Sequence, residues 1–350
     1  MESPAGSNAE TPPAPQSKTK AILKQLVGLL FAAVFMYFAF RSANLKELWR
    51  HMQHLNMLFV AGVCLSCLCS HLLRAVRWII LLEPVAGRKI SFWNSFCAIM
   101  YGYVVNIPLP RGGEIVRLVT ISRTEKLPLA GVLPTLFIDR ILDIAMLALL
   151  LGITLIFLPA DLRSAMPWLV PGGIGLCGAT FVGFVLLPFV GRIMRMILEQ
   201  PLVKSKVPDK LFEKLGELSA QFDAGTKSLT NPIAFPAIGG LSLAIWFCYW
   251  LNFYWIIGAF DLLSRVSLGD TLMVFTIGSA GVLVPTPGSV GTFHLLVKQA
   301  LVMVAHIDPD LALAVATTLH LFCFVLVICV VAGACFLGQS LLSGRRQQGV

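Results

Sequence analysis

The chain has 350 residues, 57% of them hydrophobic and 13% charged, with a formal net charge of +9, and its mean hydropathy is +0.81. That balance excludes an ordinary soluble domain and points to an integral membrane protein. The basic excess collects in the connections between apolar runs, where orientation in a bilayer accounts for it, so nucleic acid is excluded as a partner.

Residues 1–17, MESPAGSNAETPPAPQS, carry no hydrophobic pattern and read as a disordered tail. Lys18, Lys20 and Lys24 then lead into an apolar run that ends at Phe40 without a small-residue cleavage signature, as expected of an uncleaved first span. Full spans are expected at about 21–40, 55–82, 128–158, 168–190, 233–260 and 311–338, each near or above the ~20 apolar residues needed to cross a ~30 Å hydrocarbon core. No ten-residue alternation of the kind used by β-barrels is present.

Two further apolar regions, 91–121 and 268–304, are broken by Pro-x-Pro and glycine. The first break reads NIPLPRGGEIVR (106–117) and the second VPTPGSVGTFH (284–294). The connection at 191–232 holds Arg192, Arg195, Lys204, Lys206, Lys210, Lys214 and Lys227, whereas that at 159–167 holds only Asp161 and Arg163. The first is expected in the cytoplasm and the second outside. Both termini then fall in the cytoplasm. Region 91–121, flanked by Arg88, Lys89, Arg123 and Lys126, dips in from the cytoplasmic face. Region 268–304, flanked by Asp261, Asp270, Asp308 and Asp310, dips in from outside. Arg41, Lys46 and Arg50 run against this orientation, because they fall in an external connection.

Pro108 and Pro110 match Pro285 and Pro287 at a constant offset of 177, which also carries the spans at 55–82 and 128–158 onto those at 232–259 and 305–335. The expected fold is an all-α polytopic membrane protein with six full transmembrane helices and two re-entrant broken hairpins, arranged as two inverted repeats. A single transmembrane domain would cover 18–340, with repeat 1 at about 20–158, repeat 2 at about 168–338 and a short cytoplasmic tail at 341–350. A cytoplasmic amphipathic segment is expected at about 205–230, with Leu211, Leu215, Leu218 and Phe222 on one helical face.

A backbone break at membrane depth has to be satisfied by protein or by a water-filled cavity. After the breaks at Pro108 and Pro110, a half-helix starting near Gly112 and Gly113 would aim free N–H groups and a partial positive charge at such a cavity, and would favour an anion there. Arg111 stands at the same point with a donor fork suited to phosphate or carboxylate. In the second half, after Pro285 and Pro287, Gly288 and Ser289 occupy the equivalent helix start, with Ser289 as N-cap. Gly291 and His294 follow. Glu114 and Arg117 complete the candidate headgroup site, and Arg74, Arg77, Asp139, Arg140 and Asp143 are supporting charges at depth.

Competing readings attach to several of these. Arg74 and Arg77 fit snorkelling to lipid headgroups as well as a substrate role. Asp139 and Arg140 fit a structural ion pair with Arg111 or Glu114, and Glu114 fits a partner for a nearby arginine better than a proton carrier. His294 and His320 read by default as buried, hydrogen-bonded histidines. His51 and His54 carry no metal signal, and Cys64, Cys67 and Cys69 read as packing residues. No metal, cofactor or catalytic residue is expected. An intramembrane lipid-modifying enzyme using Glu114 or Asp139 as base lacks a nucleophile paired with a base.

The motifs RAVRWIILL, NIPLPRGGEIVRL, LPTLFIDRILDIAML and PTPGSVGTFHLLV, in that order, resemble the flippase-like transmembrane domain of lysylphosphatidylglycerol synthases and its free-standing relatives. The resemblance covers roughly residues 20–340. It implies a bacterial or archaeal cytoplasmic-membrane protein involved in moving lipids between leaflets, without the synthase domain, and roles for Arg111, Gly112, Gly113, Glu114, Arg117, Asp139, Arg140, Pro287, Gly288 and Gly291. The expected function is transport of an anionic lipid, of phospholipid or polyprenyl-phosphate type. The alternative is a structural partner of a lipid-modifying or glycosyltransferase enzyme.

Overall fold

The computed structural model describes residues 30, 33–41, 43–157, 164, 166–200, 208, 211–213, 215–217 and 229–348. Helix is the only regular structure among them. In chain order the helices are α1 (33–40), α2 (Leu45–Gln53), α3 (Met57–Ala86), α4 (Phe92–Asn106), α5 (Gly112–Thr124), α6 (Leu129–Ile156), α7 (Leu169–Leu186) and α8 (Val190–Leu198). Then come α9 (Ala234–Ala259), α10 (Leu268–Gly281), α11 (Thr292–Ala305), α12 (Pro309–His320), a π-helix (Leu321–Leu326) and α13 (Val327–Gln348).

Five segments are long and apolar enough to cross a membrane: Met57–Ala86, Leu169–Phe189, Ala234–Ala259, Pro287–Ala305 and Pro309–Leu341. The protein is therefore a multi-pass membrane protein. Four of these segments coincide with expected spans. The fifth, Pro287–Ala305, includes the second break. The expected span at 128–158 is the 28-residue α6, about 42 Å at 1.5 Å per residue and so long enough to cross. Asp139, Arg140 and Asp143 lower its apolarity. Most of the expected first span, the tail at 1–17 and most of the amphipathic segment at 205–230, including Leu218 and Phe222, lie outside the described residues.

Helix ends follow from local chemistry. Asn44, Asn56, Ser91 and Asp308 each accept backbone N–H bonds as N-caps of α2, α3, α4 and α12. Ser267 and Asp270 form a capping box at α10. The amphipathic α2 was not foreseen; it leans on α12, with Leu48 buried and the Asn44 N–H bonded to Asp310.

The longest helix pair is α3 with α9, which run antiparallel along each other. The Asn56 N–H meets the Ala259 carbonyl at one end, Ser66 Oγ meets Asn252 Oδ1 in the middle, and Arg77 Nη1 meets Ser242 Oγ at the other end. Two apolar cores flank this seam. One gathers Trp78, Leu81, Ile99, Ile138 and Leu142, and the other Phe253, Phe275, Phe293, Val297 and Leu319.

Both broken regions fold as hairpins of short helices, α4 with α5 and α10 with α11. Their arms have 15 and 13 residues and 14 and 14 residues, about 20–23 Å each and short for a ~30 Å core; only with the 3-10 turn at Pro287–Ser289 does the α11 arm extend to the 19-residue segment Pro287–Ala305. In the first hairpin the chain turns at Arg111, which adopts a left-handed φ of 63°, and re-enters helix at Gly112 as expected. The second break differs from expectation. Gly288 and Ser289 are left-handed, with φ of 57° and 58°, inside a 3-10 turn, and α11 begins only at Thr292 with Gly291 as its N-cap. Ser289 is therefore not an N-cap, because its backbone lies in the turn three residues before the helix.

The first hairpin closes through glycine alone. A Cβ on Gly113 would overlap the Gly102 carbonyl, and one on Gly102 would lie 2.7 Å from the Gly113 carbonyl oxygen. Gly113→Ala is expected to cost about 1–3 kcal/mol by overpacking, seen as a drop in the thermal unfolding midpoint in detergent. Gly172→Ala, where a Cβ meets open space, should leave the midpoint unchanged.

Candidate functional site

Arg74 and Arg77 lie three residues apart on α3, and Asp139 and Asp143 lie four apart on α6. Helical spacing thus turns each pair toward one side of its helix. Where α3, α5 and α6 meet, these side chains interlock. Asp139 accepts from Arg77 Nη2 at 2.7 Å, from Arg117 Nη1 at 2.8 Å and from Arg74 Nη1 at 3.2 Å. Asp143 accepts from Arg74 Nη1 and Arg77 Nη2, both at 2.8 Å. Tyr249 and Ser242 on α9 take further guanidinium bonds from Arg74 and Arg77.

Arg77 and Asp139 are fully buried, and Arg74 is 3% exposed. Arg74 and Arg77 therefore do not snorkel to headgroups, because two carboxylates hold them inside the bundle. Arg140 turns outward and pairs with Glu114 at 2.9 Å, with both side chains about 40% exposed. The ion pair expected for Arg140 is thus with Glu114, while Asp139 pairs with Arg117 and not with Arg111.

Arg117 is buried but incompletely used. Its guanidinium stacks on Trp78, 3.8 Å from the ring centroid, and Nη1 binds Asp139. Its Nε and Nη2 have no partner. The Trp78 ring is itself fixed by an Nε1–H bond to Thr135 Oγ1 at 3.1 Å. Beside Arg117 lies a narrow crevice of about 10 Å³, lined by Gly102, Tyr103, Asn106, Glu114 and Arg140 among others. The start of α5 faces it too, but the Gly113 N–H is already donated to Asn106 Oδ1 at 2.9 Å and the Gly112 N–H to the Leu109 carbonyl. The buried side-chain donors left free at this crevice belong to Arg117, whereas the N–H groups of Gly112 and Gly113 are taken.

The other sequence candidates are placed differently. Arg111 is exposed, stands outside the crevice and makes no ion pair among the described residues. Gly288, Ser289, Gly291 and His294 do not line the crevice. The two breaks nevertheless touch: a Cβ on Gly288 would lie 3.6 Å from the Ile107 carbonyl oxygen, next to Pro108. Asn106, Tyr103, Trp78 and Tyr249 escaped sequence reasoning. Asn106 alone left a signal, as a lone amide at the end of an apolar run just before Pro-x-Pro.

Removing one partner from a buried ion cluster costs about 3–5 kcal/mol, whereas a half-exposed pair contributes about 0–1 kcal/mol. Asp139→Asn, which strips Arg74, Arg77 and Arg117 of a shared charge, should sharply lower folded yield and thermal midpoint in detergent. Glu114→Gln should shift either measure little.

Comparison with known proteins agrees with this arrangement of motifs. No solved structure matches the chain. Glycosyltransferase AglD of Haloferax volcanii is 25% identical over 287 residues, covering 75% of this chain and 46% of that protein, so the chain spans about half the length of this relative. The family described as the lysylphosphatidylglycerol synthase TM region matches residues 25–331. That match takes in both broken hairpins and the arginine–aspartate cluster, and the chain accordingly belongs to the lysylphosphatidylglycerol synthase transmembrane-region family.

Proposed function

We propose that this protein carries a lipid with a monoanionic phosphate headgroup between the leaflets of a bacterial or archaeal cytoplasmic membrane, acting as a transporter and not as an enzyme. The observation that carries this reading is Arg117: a buried guanidinium with Nε and Nη2 unpartnered at the edge of a crevice. Buried donors of a cation are costly to leave unmade, and an anionic oxygen satisfies them. Charge sets the class of anion. Four arginines, Arg74, Arg77, Arg117 and Arg140, face three carboxylates, Asp139, Asp143 and Glu114, leaving one positive charge in excess. One phosphodiester neutralises it, whereas a phosphomonoester brings up to two charges. The crevice is smaller than the ~300–1,000 Å³ of a typical small-molecule site. In this closed form it holds little more than a water, so entry of the phosphate, like passage of a whole headgroup, requires opening.

The architecture we favour has six spans and two re-entrant hairpins in two inverted repeats, with both termini cytoplasmic. Several features support it. The arms of the first hairpin are too short to cross singly, and α3 and α9, equivalent at an offset of 177, pack antiparallel. The two breaks also meet at Gly288 and Ile107. Rocking of one repeat against the other would then open the crevice to alternate leaflets.

A second reading draws on the archaeal relative, whose name describes a glycosyltransferase and of which the chain spans 46%. In it, the chain is a membrane partner of a glycosyltransferase or lipid-modifying enzyme. Purified protein in liposomes separates the two readings. Arg117→Lys keeps a charge for Asp139 but removes the free guanidinium donors, each worth about 1.5–3 kcal/mol to an anion. It should slow movement of a labelled phosphodiester lipid about tenfold or more while leaving the thermal midpoint near that of the parent. Movement by Arg117→Lys as fast as by the parent sinks the crevice mechanism, and no movement by the parent favours the partner reading.

A further inference from the structure

The second half holds a pair of groups that the crevice does not use. His294 on α11 and His320 at the end of α12 are 3% and 6% exposed, with ring centroids 4.6 Å apart. At the offset of 177, His294 corresponds to Arg117 and His320 to Asp143. Where the first half sets a guanidinium and a carboxylate that stay charged, the second half sets two imidazoles, whose charge depends on a proton.

This pair is tied to the second break. His320 Nε2 donates to the Gly288 carbonyl at 2.7 Å. Gly288 is the left-handed residue of the break that touches Ile107 of the first. His320 also directly precedes the π-helix Leu321–Leu326, an irregularity often found where a helix has to adjust. His294 Nδ1 is buried without a partner.

The surroundings leave a proton on the pair without a counter-charge. The rings of Phe40, Phe293 and Phe324 pack around it, and α9 adds Phe253 behind Phe293. On α11, Lys298 lies one turn beyond His294 and gives its Nζ to the Ala39 carbonyl at 3.0 Å. Cys323 follows on the π-helix, its carbonyl bonded by Cys67 Sγ of α3, with His71 3.6 Å from that sulfur. Tyr249 of α9 is engaged by Arg74. No carboxylate bonds the pair among the described residues.

We propose that His294 and His320 form a proton-binding site that gates the second break. With the pair neutral, His320 holds Gly288 and the break stays closed against Ile107. A proton is taken up when the break opens and water reaches the imidazoles, so acid shifts the population toward the open form. This site is distinct from the anion crevice. Only the naming of corresponding positions rests on the repeat reading.

Ser289→Cys, in the turn beside Gly288, reports the opening. Its modification by a membrane-impermeant maleimide is followed in proteoliposomes, normalised at each pH to the same thiol in unfolded protein and corrected for the parent cysteines. The normalised rate should rise about fivefold or more from about pH 7.5 to about pH 5.5, across the ordinary imidazole range. Adding His320→Gln, which keeps a donor for Gly288 but does not titrate, should flatten the profile. His294→Gln should do the same, and carries the test if His320→Gln fails to purify. A flat profile in the Ser289→Cys protein, or an equal slope in the glutamine variants, overturns the proposal. Lipid movement is not part of the readout, so this gate and the transport reading stand or fall separately.

Discussion

Asp139 is a carboxylate with no exposure to solvent, gripped by arginines from two helices. Buried in an apolar bundle, such a charge persists only because its partners are close and hydrogen-bonded. The cluster therefore fixes relative positions as well as charge. It ties α6 to α3 and α5, and through Tyr249 and Ser242 it reaches α9 across the central seam. An apolar core alone, with no direction to its attractions, would tolerate sliding between these helices. The fork geometry of a guanidinium does not.

From that anchor the first hairpin can be understood. Arg117 is drawn inward to Asp139 and laid on Trp78, and α5 is thereby pressed against α4 until only hydrogens separate Gly102 from Gly113. Two of the Arg117 guanidinium nitrogens, Nε and Nη2, are left over because the nearest carboxylate is already shared. A surplus of donor capacity at the edge of a crevice is a natural place for an anion. It arises here from the geometry of three helices, with no loop built for the purpose. The second hairpin meets the first through Gly288 but is held by a different bond, from an imidazole whose donor depends on a proton.

Much of this was legible in the chain. Long apolar runs required membrane helices, and the Pro-x-Pro segments with their nearby glycines required interruptions, because proline lacks an N–H and clashes within a helix. The spacing of Asp139 and Asp143 placed both on one face, and charges at depth had to find partners. Other features left no local trace. The inner position of Arg117 depends on Trp78 and Asp139, which lie 39 and 22 residues away in sequence. Arg111, beside the proline break, looked better placed for an anion but turns outward. Ser289 has the composition of an N-cap, yet the tertiary turn puts it in a left-handed conformation three residues ahead of α11.

The sequence by itself determined the class of protein, the position of the interruptions and the inventory of charges at depth. These follow from hydrophobic length, from the stereochemistry of proline and glycine, and from residue identity. Only the tertiary structure decided which arginine keeps free donors, which carboxylate is shared and which histidine holds the second break. Those outcomes depend on distances of a few ångströms between helices far apart in the chain, and no local pattern encodes them.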